Sequence, residues 1–212
     1  MGEIILKQNQ HKLIGVILGE GGSKPTYSSS DPALRGSREV FLREGSSPQG
    51  RTINNRLEII LAGENASVEV VGLVMSKGSD ERFLETHIVH AAPNTKSKVI
   101  VKSVLRNKST FSFRGNVRIE KGAKGADAYL RSDALLFDDA KMGDDTPALE
   151  ILEPDVKAGH AATIGKVDEA MLFYLMSRGL SKSQAERLLI EGFVGPVLEK
   201  LRKPTRSYFK SY

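Results

Sequence analysis

The sequence predicts a mainly β protein that carries a small α-helical module near its C-terminal end. Apolar residues alternate with other residues along much of 56–167, and no useful helical period occurs in that stretch. Capped segments with helical periodicity begin near Asp168. We therefore expect a β body over residues 1–167, loop-rich at 19–55, and a helical module over residues 168–212.

The N-terminal third combines short apolar segments with a long polar stretch. Residues 4–6 and 13–18 are the apolar segments. Gly, Ser and Pro dominate residues 19–55, a composition typical of loops. One short strand signal, residues 40–42, interrupts it.

The central region predicts a series of half-buried strands, because apolar side chains recur at every second position between Gly, Asn and Pro breaks. The residues expected to face the core are Leu57, Ile59, Leu61, Val68, Val70, Val74, Ile88, His90, Val99, Val101, Phe111, Phe113, Val117 and Ile119.

The connections between these strands are polar and variable in length. They include PNTKS, RNKS and EKGAKG, and none contains the Asn-Gly or Asp-Gly pair that favours a two-residue hairpin. A β-solenoid accepts such corners. The pattern alone leaves a β-solenoid and an irregular β-sandwich open.

The helical module has recognisable start and stop signals. Asp168 is expected to cap the first helix and Gly179 to end it. Ser181 and Gln184 have the spacing of a capping box for the second helix, and Gly192 is expected to break that helix before a third apolar segment at 194–201. These short helices can pack on the β body or leave one face for a partner.

Composition excludes several classes of site. The 212 residues include no Cys, so this chain supplies no disulfide and no thiolate ligand. The net charge of +5 is spread among interspersed acidic and basic residues, and we expect no nucleic-acid binding. No apolar run approaches the ~20 residues that span a bilayer, and no secretory signal is evident, so we expect a cytoplasmic protein.

The histidines are the main candidates for chemistry. His87 and His90 are three residues apart on a predicted strand, so they point to opposite faces and are expected to be structural or surface residues. His160 lies among small residues in AGHAA and is a candidate iron or zinc ligand. The acidic run at 138–145 is interpreted as a solvated loop. No catalytic set is evident, and we expect no enzyme activity.

Several ordered motifs resemble one family. They are THIVHAAPNTKS at 86–97, FRGNVRIEKGAKGADAYLRSDALL at 113–136, and DVKAGHAATIGKVDEAMLFYLMSRGLSKSQAERLLIEGF at 155–193. Together they are similar to the SufB/SufD family of iron–sulfur cluster assembly proteins, over roughly residues 85–201.

The resemblance implies a right-handed parallel β-helix with a small C-terminal α-helical domain. It also implies a scaffold whose helical domain binds a SufC-type ABC ATPase and whose β-helix pairs with a second SufB/SufD-type chain, as a homodimer or a heterodimer. The candidate contacts to the ATPase are Leu172, Phe173, Met176, Arg178, Leu188 and Phe193.

The resemblance also assigns roles around the cluster. His160 matches a histidine that SufD-like chains direct toward the partner, which makes it a candidate ligand for iron or a transient iron–sulfur cluster at the chain interface. Ser132 and Ala158 stand where family members carry cysteines. The chain therefore resembles SufD more than SufB, and no cluster is expected to bind tightly to it alone. The alternative is a structural interaction protein of the same fold without a cluster role.

Overall fold

A computed structural model describes residues 2–18, 40–43 and 52–201. Within the expected loop-rich segment 19–55, residues 19–39 and 44–51 lie outside the described residues, as does the tail at 202–212. Residues 40–43 form the predicted short strand, and 52–55 belong to a strand, so the loop prediction is wrong there. The elements are β1 (Gly2–Leu6), β2 (His11–Leu18), β3 (Val40–Arg43), β4 (Thr52–Leu61), β5 (Ser67–Ser76), β6 (Glu81–His90), β7 (Lys96–Leu105), β8 (Thr110–Ile119), β9 (Asp127–Leu136), β10 (Lys141–Ile151), β11 (Lys157–Lys166), α1 (Glu169–Ser177) and α2 (Lys182–Lys200).

The strands form two parallel sheets that share one core. One sheet has the order β1-β4-β6-β8-β10 and the other has the order β11-β9-β7-β5-β2-β3. From β4 onward, successive strands alternate between the sheets, so each turn of the chain adds one strand to each. This is a β-solenoid, as the resemblance implied, and it excludes the sandwich that the strand pattern had left open.

In-register pairing stacks side chains of like orientation into columns that run along the solenoid. One interior column contains Ile14, Val70, Val99 and Leu130 and ends at His160 on the last strand. All the residues that alternation assigned to the core are buried, because neighbouring side chains on a strand point to opposite faces of a sheet.

The turns between consecutive strands, called corners here, contain residues in the left-handed backbone conformation. Asn9, Asn65 and Asn94 have φ values of 57°, 59° and 56°, and the Asn65 side-chain amide donates to Asn9 Oδ1 at 3.2 Å. At another corner, the Asn107 backbone N–H donates to Asp138 Oδ2 at 2.9 Å. Asn and Asp tolerate this backbone region better than other non-glycine residues do. The corners are therefore regular in conformation although their sequences vary.

The first helix begins and ends as the sequence predicts. The Asp168 carboxylate accepts from the Ala170 N–H at 2.9 Å, and Gly179 follows the helix with a φ of 95°. The capping box of the second helix is complete, because the Gln184 N–H donates to Ser181 Oγ and the Ser181 N–H donates to Gln184 Oε1.

The expected break at Gly192 is wrong: α2 continues to Lys200 through Gly192 and Pro196. Pro196 lacks the N–H that would bond to the Gly192 carbonyl, which ordinarily weakens a helix. Burial offsets this cost, because one face of α2 packs on outward side chains of β5 and β7. The helix residues buried in this contact are Ile190, Val194, Val197 and Leu198.

Polar contacts fix α2 to the same sheet. Arg106 forms an ion pair with the buried Glu186, and Lys200 pairs with Glu69. The Lys102 ammonium donates to the Phe193 carbonyl at 2.8 Å and lies 4.3 Å from the centroid of its ring. The solenoid therefore holds α2 in one position.

Candidate functional site

The last turn of the solenoid presents an unpaired end. In the part of the chain that the structure describes, β10 and β11 each pair with a strand on one side only. Their inward positions have no further described turn to cover them, and most of their residues are exposed or half-buried. This open end, defined by β10 and β11, carries free backbone groups and a partly uncovered core.

His160 lies on the inward face of this open end. It is opposite Leu130 in the register of β11 with β9, and Leu130 is fully buried. His160 itself is exposed because the column ends there. The structure therefore presents this imidazole at the end of the core, where a second molecule can reach it.

Ser132 lies on the neighbouring interior column, opposite Ala162 of β11 and Val101 of β7. It is fully buried, and its hydroxyl faces the Asp145 carboxylate without forming a hydrogen bond of good geometry to any described atom. Buried hydroxyls are normally paired.

The expected solvated acidic loop at 138–145 is correct for Asp138 and Asp139, which lie exposed in a turn, and wrong for 141–145, which belong to β10. A β-bulge in β10 turns Asp145 inward. The pairing of β10 with β8 shifts between Met142 and Asp145, which places Asp145 opposite the buried Phe113. The Asp144 N–H donates to Ser112 Oγ at 3.2 Å. A Cβ at Gly143 would collide with that same Oγ, so glycine permits the close approach.

The Asp145 carboxylate is desolvated. Both of its oxygens are buried and have no hydrogen-bond partner with good geometry among the described residues. Burial is the main cause that raises the pKa of Asp145, and the negative charge of Asp133 raises it further. The nearby Ser132 hydroxyl partly offsets this rise. Such a carboxyl group is uncommon without a structural or functional reason.

His90 is a structural residue, as the sequence predicts. It is fully buried, with Nδ1 at 2.8 Å from Thr95 Oγ1 and Nε2 at 2.7 Å from Ser97 Oγ. Both ring nitrogens are engaged, so neither is free to bind a metal. Burial lowers the pKa of His90 to about 4, although Asp127 acts in the opposite direction. His87 lies half-buried on the other face of the strand.

No group of three or more His, Cys, Asp or Glu residues with metal-binding geometry occurs within residues 2–18, 40–43 and 52–201. Iron–sulfur clusters are most often held by several cysteine thiolates, and the chain has no Cys. The described residues therefore contain no such thiolate set.

The helical module exposes large apolar side chains around α1 and at one position of α2, defined here together as the module face: Met171, Phe173, Tyr174, Met176 and Leu188. Among the described residues, Phe173 is the most exposed large apolar side chain, at 75 %. No residue of α1 is buried.

The other residues expected to contact an ATPase, Leu172, Arg178 and Phe193, are not part of the module face. Leu172 is half-buried, and the Arg178 guanidinium lies 5.3 Å from the Tyr174 ring centroid. Phe193 lies on the side of α2 that packs on the solenoid.

Comparison with known proteins identifies the family. The family model for the SUF system FeS cluster assembly, SufBD core domain, matches residues 45–193, which include both the open end and most of the helical module. The chain belongs to the SufB/SufD family. Its match to that family begins earlier than the motifs at 85–201 indicated.

Relatives in this family include SufD and SufB proteins. The chain is 32 % identical to the iron–sulfur cluster assembly protein SufD of Bacillus subtilis over 95 % of this chain and 46 % of the relative. It is 32 % identical to SufB of the same organism over 67 % of this chain and 30 % of that relative. An iron–sulfur cluster assembly SufBD family protein of Mycobacterium tuberculosis H37Rv is 40 % identical over 66 % of this chain and 17 % of the relative.

The chain thus spans less than half of the length of these SufB/SufD relatives. The match to SufD extends over more of this chain than the match to SufB does. Among the described helices, none is long and apolar enough to cross a membrane.

Proposed function

We propose that this chain is a non-catalytic scaffold subunit of an iron–sulfur cluster assembly complex. It binds a SufC-type ABC ATPase through its helical module and pairs with a second SufB/SufD-type chain through its solenoid. The observation that carries the proposal is the module face, an exposed apolar surface on a helix pair within a chain of this family.

The module face has the properties of a protein-binding surface. Aromatic and Met side chains are enriched where proteins bind one another, and contiguous exposed apolar residues on a soluble protein commonly mark such sites. The opposite face of α2 is already buried against β5 and β7. Because α2 is held there, Leu188 is presented to a partner without a large ordering cost.

The open end supports the second part of the proposal. Strands at the edge of a sheet offer unpaired N–H and C=O groups, and pairing with another chain satisfies them. Both β10 and β11 are such edges within the described chain. A second chain that covers them would also cover His160, which would then lie at the interface between the two chains.

The ATPase contact is tested with Phe173→Ser. We expect this variant to bind the SufC-type ATPase at least tenfold more weakly in calorimetry, because a central aromatic contact commonly contributes more than 1 kcal/mol. The matched control is Ile5→Ser, which changes a 54 % exposed apolar residue on β1. Its affinity should equal that of the unmodified chain.

Equal affinity for the Phe173→Ser variant and the unmodified chain would refute docking through this surface. Truncation after Val167 is a poorer test. It would remove α2 and expose Val71 and Leu73 on the solenoid, both of which are buried under α2.

A second candidate function is a structural interaction protein of the same fold without a cluster role. The absence of Cys favours it, because such a chain has no thiolate to accept sulfur. An anaerobic assay distinguishes the two functions. The complex of this chain with both partners is given iron and sulfide, and cluster formation is measured.

If the scaffold role holds, the assembled complex forms a cluster with the characteristic visible absorption, and His160→Ala reduces its yield severalfold without lowering the recovery of the complex. Ile5→Ser is the control, since Ile5 is an exposed apolar residue on β1, at the opposite end of the sheet from β10. An unchanged cluster yield in His160→Ala would support the purely structural role.

A further inference from the structure

A groove on the outer surface of the solenoid lies beside the C-terminal end of α2. It has a volume of about 580 Å³, and volumes of this order are typical of sites for small ligands. One row of outward side chains crosses it from β2 to β9, and each is the first residue of its strand: His11, Ser67, Lys96 and Asp127. No residue of the module face, of β10 or of β11 lines this groove.

Two lysines give the groove a cationic centre. Lys96 and Lys98 are two residues apart on β7, so their side chains leave the same face of the sheet. Both are exposed, and neither forms an ion pair with a described acid. The acid opposite Lys98 in the strand register is Glu69, which pairs with Lys200 at the end of α2 instead. The position of α2 therefore leaves two ammonium groups in the groove without an ion-pair partner.

A histidine and a serine add hydrogen-bonding groups beside the lysines. His11 Nδ1 lies 2.5 Å from Ser67 Oγ, and Ser67 is directly opposite Lys96 in the register of β5 with β7. When the hydroxyl donates to Nδ1, the neutral imidazole carries its proton on Nε2. This N–H and the two ammonium groups are then all donors, which complements a ligand group that only accepts hydrogen bonds.

The far end of the groove suits a ring rather than a negative charge. Tyr129 lies half-buried on β9, opposite Lys98, and a tyrosine ring offers a flat surface on which another ring can stack. Asp127 is two residues away on the same strand and would repel an anion. An anionic group is therefore expected near His11 and the lysines, with a ring toward β9.

We propose that this groove binds a phosphate-bearing ligand of nucleotide size. Lys96, Lys98 and His11 hold the phosphate, and the ring of the ligand lies against Tyr129. Lysine ammonium groups form charge-assisted hydrogen bonds with phosphate oxygens, which are stronger than bonds between neutral groups. This function is additional to the scaffold role and does not depend on it.

The test is calorimetric titration of the full-length chain, in the absence of any ATPase, with ADP and separately with inorganic pyrophosphate. Lys96→Gln and Lys98→Gln should each bind both probes about fivefold more weakly than the unmodified chain, as expected for the loss of one exposed charged contact. Lys108→Gln is the matched control, because it removes an exposed ammonium group from the corner between β7 and β8. Its affinities should stay within twofold.

Tyr129→Ser separates recognition of the ring from recognition of the phosphate. It should bind ADP severalfold more weakly and pyrophosphate normally, because only ADP carries a ring. Equal effects on the two probes would overturn the assignment of the ring to Tyr129. Circular dichroism checks that each variant is folded, which we expect because all the changed side chains are exposed or half-buried.

Two results would overturn the phosphate site itself. One is an unmodified chain that binds neither probe. The other is an equal loss of affinity in Lys96→Gln, Lys98→Gln and Lys108→Gln, since that would indicate general attraction of anions to a chain with a net charge of +5. Neither result bears on docking of the SufC-type ATPase, which depends on the module face.

Discussion

Phe113→Ala is expected to lower the free energy of unfolding by about 4 kcal/mol, the range typical of a buried Phe that leaves a cavity. Phe113 is fully buried and lies between Leu84 of β6 and Asp145 of β10 in the register of its sheet. Its surroundings are tight, because a Cβ at Gly115 would lie 3.0 Å from Phe113 Cζ. The neighbouring strands cannot close the cavity without moving the bulge that orients Asp145.

Urea unfolding followed by far-ultraviolet circular dichroism measures this loss. The matched control is Phe83→Ala, whose ring is half-buried on the outer face of β6 with the Arg114 guanidinium 5.5 Å from its centroid. That variant should lose less than about 1 kcal/mol, as is usual for residues outside the core. Similar losses for Phe113→Ala and Phe83→Ala would show that the last turns are loosely packed.

Acid should destabilise the protein through His90, with an expected loss of about 2.5 kcal/mol between pH 7.5 and 4.5. The pKa of His90 is about 4 in the folded chain, below its ordinary value of 6.5. Between these two values the unfolded chain binds a proton that the folded chain does not. The contribution is therefore complete above pH 6.5, falls as the pH drops to about 4, and then levels off.

His90→Gln isolates this effect, because an amide can still bond to Thr95 and Ser97 but does not titrate in this range. Its free energy of unfolding should fall by about 2.5 kcal/mol less than that of the unmodified chain over the same pH interval. Asp145 acts in the opposite direction, since its raised pKa favours the folded state as the pH falls, but it is present in both proteins. His87→Gln, on the outer face, should retain the full acid sensitivity.

The sequence predicted the interior of the solenoid well because the strand period is strict. Phe111 and Phe113 flank Ser112, Val117 and Ile119 flank Arg118, and all four apolar residues are buried as expected. The helix caps at Asp168 and Ser181 were also correct, since capping depends on side chains within three residues of the helix start. These are local signals, and local reasoning detects them.

The features that were missed depend on tertiary contacts. Gly192 and Pro196 predict a break in α2, but the burial of Ile190, Val194 and Val197 against the solenoid overrides it. The inward turn of Asp145 depends on its register with Phe113 and on Ser112. The acidic run at 138–145 does not by itself indicate either contact.

The corners illustrate a signal that was present but not recognised. Their lengths and compositions vary, which suggested irregular connections. Yet Asn65, Asn94 and Asn107 each occupy the left-handed region at a chain reversal. An Asn or Asp that recurs once per turn, between two apolar alternating runs, would have indicated a solenoid rather than a sandwich.

The open end has a thermodynamic consequence. In a stack where each turn contacts only its neighbours, stability is approximately a sum of terms for each turn and each junction. The turn made of β10 and β11 has a single junction within the described chain, so it is expected to fray more readily than the turns inside the stack. A molecule that covers it supplies the missing junction, and its binding free energy adds to the stability of the fold. Binding of a partner and folding of the last turn are therefore thermodynamically coupled. The melting temperature of the chain should rise with the concentration of the molecule that binds there.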